Sequence, residues 1–250
     1  MNDFEIKLAS SKEEIESAQR LRFEVFNLEM KKGLEASYAR GLDCDAFDEI
    51  CDHILIIDKA KKSVIGTYRL LLGRRLGPLG KFYAENEFDL SDLKGIKDDI
   101  LEMGRSCVHK EYRRNAIVML LWAGIIDYVR RHRVKYITGC PSVYTTDAAD
   151  VSAIFALLKR DHFAPAALRV RPLAAKVFGR LDRHCSIEGR EKQVMLKVPS
   201  LVRSYLKFGA FVCGEPVFDE EFGTVDFFML LEMDKISSAY VDRMRPRKDA

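Results

Sequence analysis

The sequence lacks any stretch of about 20 consecutive apolar residues, the length that a membrane-spanning helix requires. Its first residues, MNDFEIKLASSKEE, also lack the apolar centre of a secretory signal peptide. Basic and acidic side chains nearly balance, 41 against 38, so the bulk charge gives no reason to expect nucleic acid as a partner. We therefore expect a cytoplasmic protein that contacts a membrane, if at all, as a peripheral protein.

Compact cysteine and histidine spacing is missing as well. The six cysteines are scattered along the chain, at Cys44, Cys51, Cys107, Cys140, Cys185 and Cys213. The densest group of metal-binding residue types, from Cys44 to His53, matches no compact zinc pattern, and Asp43, Asp45 and Asp48 lack the glycine and the terminal glutamate of an EF-hand loop. We expect reduced thiols and no metal ion.

No internal repeat, low-complexity segment or clean boundary divides the chain. With 250 residues and 48% apolar side chains, the sequence is long and apolar enough to bury a large core as a single domain over residues 1–250. Within that domain we expect a helical elaboration around residues 147–190 and closing strands within residues 193–235.

Hydrophobic periodicity predicts an alternation of strands and helices. The predicted elements of the first part are a strand at residues 4–8, a helix opened by a capping box of Ser11 and Glu14, a loop over 29–52, a hairpin of strands 54–58 and 64–72, a connection over 73–100, and a central strand at 101–108. Those of the second part are a helix from about residue 113, a strand at 135–140, a helix at 147–159, a helix opened by Pro172, a strand at 193–198, a helix at 200–207, and strands at 210–213 and 225–231. The order around residues 101–140 predicts a parallel crossover within a mixed sheet.

The central strand carries unusual charges. Glu102 and Arg105 lie three residues apart, so a regular strand would point them to opposite faces. A bulge at Gly104 would turn both to one side; the alternative is an edge glycine with two solvated charges. Arg69 is likewise enclosed in the apolar run TYRLLL and needs an acidic partner, either Glu102 or an acid of the loop such as Asp48, for function or in a structural ion pair.

The junction between the central strand and the next helix is basic. Lys110, Arg113 and Arg114 stand where the helix dipole disfavours cations unless an anion binds, which indicates a phosphate-bearing ligand. A Cys107 nucleophile beside His109 is an alternative use of the same strand end. His53, which begins a strand, is either a satisfied histidine or a secondary proton carrier.

Several segments together resemble the ornithine-lipid N-acyltransferases, whose relatives are often labelled hemolysin-like. These segments are LRFEVFNLEM, CDHILIID, VIGTYRLLLG, FYAENEFDL, LEMGRSCVHKEYRRNAIVMLLWAGIIDYV and SYLKFGAFVCGEPVFDEEFGTVDFFMLL, and the resemblance runs from about residue 5 to 235. A more distant similarity links the chain to the acyl-homoserine-lactone synthases, through Arg22, Phe26, Asp45, Asp48, Arg69, Glu102 and Arg105 in that order.

The resemblance implies a GNAT-like acyl-CoA N-acyltransferase fold of the α/β (α+β) class, with a mixed, mostly antiparallel sheet, splayed central strands and flanking helices. It implies a reaction that moves a 3-hydroxy fatty acyl group from acyl carrier protein to the α-amino group of an amino acid. Ornithine is the favoured acceptor, and the product is then lyso-ornithine lipid. No cofactor would be bound permanently, because the donor is the acyl-phosphopantetheine of the carrier, with acyl-CoA as the alternative.

Roles for individual residues follow from the same resemblance. Glu102 would act as the base, directly or through water, and Arg69 and Arg105 would organise the acids and hold the acceptor carboxylate. Asp45 and Asp48 would bind the second ammonium group of the acceptor. The remaining expected contacts are Arg22, Phe26 and His53 with the acceptor, and Ser106, Cys107, Val108, Arg113 and Arg114 with the acyl-phosphopantetheine.

One departure concerns the donor. Many CoA-dependent members of the fold carry a glycine-rich turn, but here the turn reads Arg113-Arg114-Asn115-Ala116-Ile117, which favours a carrier with a single phosphate. Rival interpretations are a CoA-dependent N-acyltransferase on another amine and a non-catalytic binder of acyl carrier or membrane. The expected helical stripe of Lys176, Arg180 and Arg183 would face an acidic carrier, anionic lipid or only solvent.

Overall fold

The computed structural model describes residues 3–113 and 115–236. Its strands are β1 (Phe4–Leu8), β2 (Asp52–Asp58), β3 (Ser63–Leu72), β4 (Phe88–Asp89), β5 (Ile100–Val108), β6 (Tyr136–Gly139), β7 (Ser142–Val143), β8 (Arg171–Pro172), β9 (Phe211–Val212), β10 (Val217–Asp219), β11 (Thr224–Asp226) and β12 (Met229–Glu232). Its α-helices are α1 (Lys12–Phe23), α2 (Asn115–His132), α3 (Ala148–His162), α4 (Glu191–Lys197) and α5 (Ser200–Lys207), and α1 continues into a π-helical turn, Glu24–Glu29. Short 3-10 helices include Ala46–Glu49, Ser91–Asp99, Lys110–Tyr112 and Ala174–Lys176.

The chain divides into two compact units, and the first contains residues up to 80 and the segment 101–135. Here β1, β2, β3 and β5 form an antiparallel sheet in that order. The predicted strand at residues 4–8, the hairpin and the central strand are confirmed. The predicted helix start is confirmed too, because the Ser11 hydroxyl accepts a hydrogen bond from the Glu14 N–H (3.3 Å).

The two faces of this sheet differ in chemistry. One face carries α2, where the absence of a side chain at Gly124 allows close packing, since a Cβ there would lie 3.1 Å from Ile6 and 3.3 Å from Ile54. Along β3, alternate residues point to the opposite face, so Arg69 and its cross-strand neighbour His53 lie on the side away from α2. A buried arginine and a buried histidine therefore occupy the face that α2 leaves uncovered.

A bulge interrupts the β3–β5 pairing, but its position differs from the prediction at Gly104. Arg69 pairs with Gly104 and Thr67 pairs with Cys107, so Arg105 and Ser106 together oppose a single β3 residue. Arg105 adopts a φ of 51°, the left-handed conformation that glycine usually occupies in such a bulge. A non-glycine residue in that conformation costs about 1–3 kcal/mol, and the surrounding contacts must hold it there.

The second unit contains residues 81–100 and 136–235. In it, β12 lies between β6 and β9 in antiparallel pairing, and β11 lies between β10 and β7. The strand predicted at 193–198 is wrong: this segment belongs to α4, in which Val194 and the flanking Val198 are buried four residues apart while Leu196 is 80% exposed. A helix places residues 194 and 198 on one face and residue 196 on the other, whereas a strand would place all three on the same face.

The helix predicted from Pro172 is also wrong. Pro172 ends the two-residue strand β8, where it pairs with Phe88, and only the 3-10 turn Ala174–Lys176 follows. The expected basic stripe therefore has no helix to carry it. Arg180 donates to the carbonyl of Thr146 (3.0 Å), and Arg183 pairs with Glu215 (2.5 Å), so both cations have partners within their own unit.

No helix among residues 3–113 and 115–236 is long and apolar enough to cross a bilayer. All six cysteines fall in this part of the chain, and no two of them form a disulfide there.

Candidate active site

A buried cluster of arginines and aspartates occupies the face of the first sheet that lies away from α2. Its members come from four elements: Arg22 from α1, Asp43, Asp45 and Asp48 from the loop before β2, Arg69 from β3, and Arg105 from β5. Sequence separation between contacting members reaches 62 residues, between Arg105 and Asp43. The fold therefore assembles the cluster from distant segments.

Arg22 forms the inner part of the cluster. Its two terminal nitrogens donate to the two carboxylate oxygens of Asp48, at 2.8 and 2.9 Å, in a bidentate pair. Its Nε lies 2.8 Å from Asp43 Oδ1, and Nη2 also donates to the Asp43 carbonyl. Because the Arg22 side chain is 0% exposed, it acts by fixing these two acids.

Arg69 and Arg105 form the outer part. Arg69 Nη1 lies 2.7 Å from Asp45 Oδ1 and 3.4 Å from Asp48 Oδ2, so an acidic partner for Arg69 in this loop is confirmed. Arg105 contacts Asp45 Oδ2 at 3.3 Å and Asp43 Oδ1 at 3.5 Å. The Asp45 side chain is 18% exposed and that of Arg105 10%, so these two groups open the cluster toward solvent.

The loop holds its acids through a capping box. Asp45 caps the 3-10 helix Ala46–Glu49, accepting a hydrogen bond from the Phe47 N–H (2.8 Å), while Asp48 Oδ2 accepts from the Asp45 N–H (2.8 Å). Each carboxylate thus bonds to the backbone and to arginine at once. The three-residue spacing of Asp45 and Asp48 in GLDCDAFDE is compatible with such a capping box. Nothing in the sequence, however, indicates that Asp43 belongs to the same cluster.

Charge and burial set the protonation states. Burial would raise the pKa of Asp48, but the charge and hydrogen bonds of Arg22, with the charge of Arg69, lower that pKa to about 2. Burial lowers the pKa of His53, whose Nε2 lies 3.6 Å from Asp48 Oδ1, so His53 is neutral near pH 7. Its Nδ1 is buried without a hydrogen-bond partner among the described residues.

Glu102 lies on the same face as the cluster. It pairs with Leu71 across the sheet, and Leu71 and Arg69 point the same way along β3. The side chain is buried, and its charge is close enough to Cys51 to raise the pKa of that thiol, although burial is the larger cause. Glu102 and Arg69 therefore lie on the same face of the sheet, and the bulge predicted at Gly104 lies at Arg105 instead.

The thiols beside the cluster are poor nucleophiles. Burial raises the pKa of Cys51 and of Cys107 to about 12, so both remain protonated near pH 7. Cys107 packs with Leu21 and Val25 in a small apolar group that Phe26 covers in part. The structure thus gives Cys107 a packing role and does not support covalent catalysis by its thiol.

In the basic turn after β5, Arg113 already pairs with an acidic side chain. Arg113 donates to both carboxylate oxygens of Glu29, each at 2.6 Å, and its Nε donates to the Val108 carbonyl at 3.1 Å. Both side chains are more than a third exposed, so a competing anion can separate this pair at little cost. Ser106 and Val108 are half-buried at the strand end, and Arg114 lies outside the described residues.

The second unit contains a group with the spacing of metal ligands. Carboxylate oxygens of Glu87, Asp219 and Asp226 lie within 4.8 Å of one another, and all three residues are buried. Asp226 accepts a hydrogen bond from Thr224 Oγ1 (2.9 Å), and Asp219 accepts from the Glu221 N–H (2.9 Å). Sequence reasoning did not single out this group, because its members are distant in the chain.

Comparison with known proteins places these features in a family. Residues 21–123, which contain the whole charged cluster, match the acetyltransferase (GNAT) domain. The chain is 35% identical to the L-ornithine N(alpha)-acyltransferase of Rhodobacter capsulatus, over 95% of this chain and 93% of the relative. It is 36% identical to the enzyme of the same name from Brucella abortus, over 96% and 88%.

The solved structure of BjaI, a CoA-dependent acyl-homoserine lactone synthase, resembles the chain with a TM-score of 0.55 over 96% of this chain and 87% of that one. At 13% identity this likeness concerns the fold alone, and it confirms the predicted distant similarity. Sequence identity and fold agree: the chain belongs to the L-ornithine N(alpha)-acyltransferase family and is a GNAT-fold acyltransferase.

Proposed function

We propose that this acyltransferase moves a 3-hydroxy fatty acyl group from acyl carrier protein to the α-amino group of ornithine and so makes lyso-ornithine lipid. The observation that carries the proposal is the opening of the cluster, where Asp45 and Arg105 present opposite charges on the sheet face that also carries Glu102. Ornithine carries one carboxylate and two ammonium groups, which complement these side chains. Relatives named for this acceptor, at 35% and 36% identity, support the choice.

The acceptor would lie with its carboxylate on Arg105 and its side-chain ammonium on Asp45. Asp48, already held by Arg22 and Arg69, keeps its charge and fixes Asp45 through the Asp45 N–H. His53, neutral and adjacent to Asp48, adds no competing positive charge. The α-amino group would then face Glu102, which takes its proton and leaves a nucleophilic amine.

The amine nitrogen attacks the thioester carbonyl carbon in one direct transfer. The new C–N bond forms, the C–S bond breaks, and the phosphopantetheine thiol leaves with a proton that Glu102 can return. Backbone N–H groups near Ser106 to Val108 would stabilise the oxyanion, since the bulge leaves Arg105 and Ser106 opposite a single β3 residue at the start of this segment. No covalent intermediate is required, which agrees with the protonated state of Cys107.

The donor assignment rests on the turn after β5. It contains Ala116 and Ile117 in place of glycines, so a bulky pyrophosphate has less access to the backbone. Arg113, which a phosphate can draw away from Glu29, would bind the single phosphate of the carrier-linked arm. The product is amphiphilic, so we expect peripheral contact with the membrane that receives it.

Expression in a bacterium without ornithine lipids tests the activity. Mass spectrometry of extracted lipids should detect 3-hydroxyacyl-ornithine only in cells that express the chain. Detection of a different acylated amine instead would contradict ornithine as the acceptor. The donor is tested with the purified chain, ornithine, and 3-hydroxyacyl carrier protein or the matching acyl-CoA at equal concentration. We expect the carrier to give the higher kcat/KM; a preference for acyl-CoA would contradict the donor assignment.

A further inference from the structure

Asp43 has no part in the reaction proposed above, yet it contacts two arginines of the cluster. Its carboxylate oxygen Oδ1 lies 2.8 Å from Arg22 Nε and 3.5 Å from Arg105 Nε. The residue is 0% exposed, so its side chain cannot reach a substrate from this position. Any influence of Asp43 on the acceptor must therefore pass through one of these arginines.

The backbone of Asp43 is fixed on both sides. Its N–H donates to the carbonyl of Gln19 in α1 (3.1 Å), and its own carbonyl accepts from Arg22 Nη2. With the Arg22 Nε contact, these bonds attach Asp43 firmly to α1. Asp43 is thus a rigid support, whereas Asp45 is partly exposed and can respond to a ligand.

Arg105 needs such a support. Its backbone is held at a φ of 51°, which side-chain-bearing residues rarely adopt, at the bulge where β5 leaves regular pairing. Arg105 Nε lies at an ion-pair distance from Asp43, and because a guanidinium carries its N–H donors in a rigid fork, attraction of Nε to this carboxylate also orients the two terminal nitrogens. One of these, Nη2, already contacts Asp45 at the open side of the cluster.

We propose that Asp43 is a positioning residue that orients Arg105 to receive the acceptor's carboxylate, and thereby selects an α-amino acid over an amine without a carboxylate. This inference rests on the proposed function, because it takes ornithine as the acceptor. A positioning role differs from a merely structural one in its effect on the two substrates. Loss of the Asp43 charge should weaken recognition of ornithine and leave recognition of the acyl donor unchanged.

The test compares Asp43→Asn with the unaltered chain and with Asp52→Asn. Asp52 is a matched control, because it also pairs with an arginine, Arg75 at 2.7 Å, but its cross-strand partner Leu70 lies on the α2 face of the sheet. For each protein, KM and kcat are measured for ornithine, for L-ornithinamide, in which a neutral amide replaces the carboxylate, and for the acyl carrier donor.

Asp43→Asn should raise the KM for ornithine about tenfold, which corresponds to about 1.4 kcal/mol. Its KM for the donor should stay within twofold, its kcat/KM for ornithinamide should be nearly unchanged, and Asp52→Asn should alter none of these ratios. Equal losses with ornithine and ornithinamide, or a fall in kcat with both KM values unchanged, would overturn the inference.

Arg105→Gly serves as a second test variant if Asp43→Asn does not fold. Glycine adopts the φ of Arg105 without strain, so the bulge persists while the Asp43 contact is removed. The same selective rise in the KM for ornithine is expected, and an unchanged KM would overturn the inference. Absence of ornithine acylation by the unaltered chain would instead refute the proposed function itself, and the inference with it.

Discussion

Replacing Arg22 tests how the cluster is held together. Arg22→Met replaces a fully buried guanidinium with an uncharged side chain of similar length and leaves the carboxylates of Asp43 and Asp48 without their arginine contacts at 2.8 Å each. Removal of one partner from a buried ion pair typically costs about 3–5 kcal/mol, because the remaining charge is buried without compensation. Arg69 stays 3.4 Å from Asp48, so we expect the lower half of that range.

Arg22→Lys separates charge from geometry in the same position. Lysine restores the positive charge but cannot form the bidentate contact with Asp48 and the Nε contact with Asp43 together. We expect about half of the loss caused by Arg22→Met. Both variants are measured by urea unfolding at pH 7, with the m-value as the check that the same structure unfolds. A loss under about 1 kcal/mol for Arg22→Met would refute the ion-pair reasoning.

Two further predictions concern protonation. Because the folded-state pKa of Asp48 is about 2, below its ordinary value of 3.8, its charge contributes stability above about pH 4 that is lost as the pH falls toward 2. This contribution to the free energy of unfolding is about 2 kcal/mol. As the pH is lowered from 6 to 2, the free energy of unfolding should therefore fall less steeply for Asp48→Asn than for the unaltered chain. Equal slopes would contradict this prediction. Cys107→Ala should keep kcat within about threefold, since a thiol with a pKa of about 12 is no nucleophile, and a hundredfold loss would restore the thiol mechanism.

The elements that local chemistry specifies were predictable from the sequence. The Ser11 cap, the hairpin and the central strand each carry a complete signal within a few residues, and each is present. The charged residues of β3 and β5 were recognisable for a similar reason. A cation inside an apolar run must find a partner when it is buried, so an acidic partner for Arg69 was predictable from energetic cost, and Asp45 and Asp48 supply it.

Features that depend on distant contacts were not predictable in detail. The bulge lies at Arg105 because loop carboxylates hold its guanidinium, and nothing within GRS distinguishes that site from the glycine before it. Likewise QVMLKV reads as a strand by composition, yet it forms a helix whose buried face is set by neighbours far along the chain. Asp43 was considered only as a metal ligand, because its contact with Arg105 joins residues 62 positions apart.

The central claim is that Glu102 deprotonates the ornithine α-amine for direct transfer. It is tested most directly by the kcat of purified Glu102→Gln with 3-hydroxyacyl carrier protein and ornithine. Glu49→Gln, an exposed change in the neighbouring loop, serves as the matched control. We predict a fall of about 10²–10⁴-fold for Glu102→Gln, as expected for loss of a general base, and a kcat within twofold for the control. Full turnover by Glu102→Gln would contradict the account.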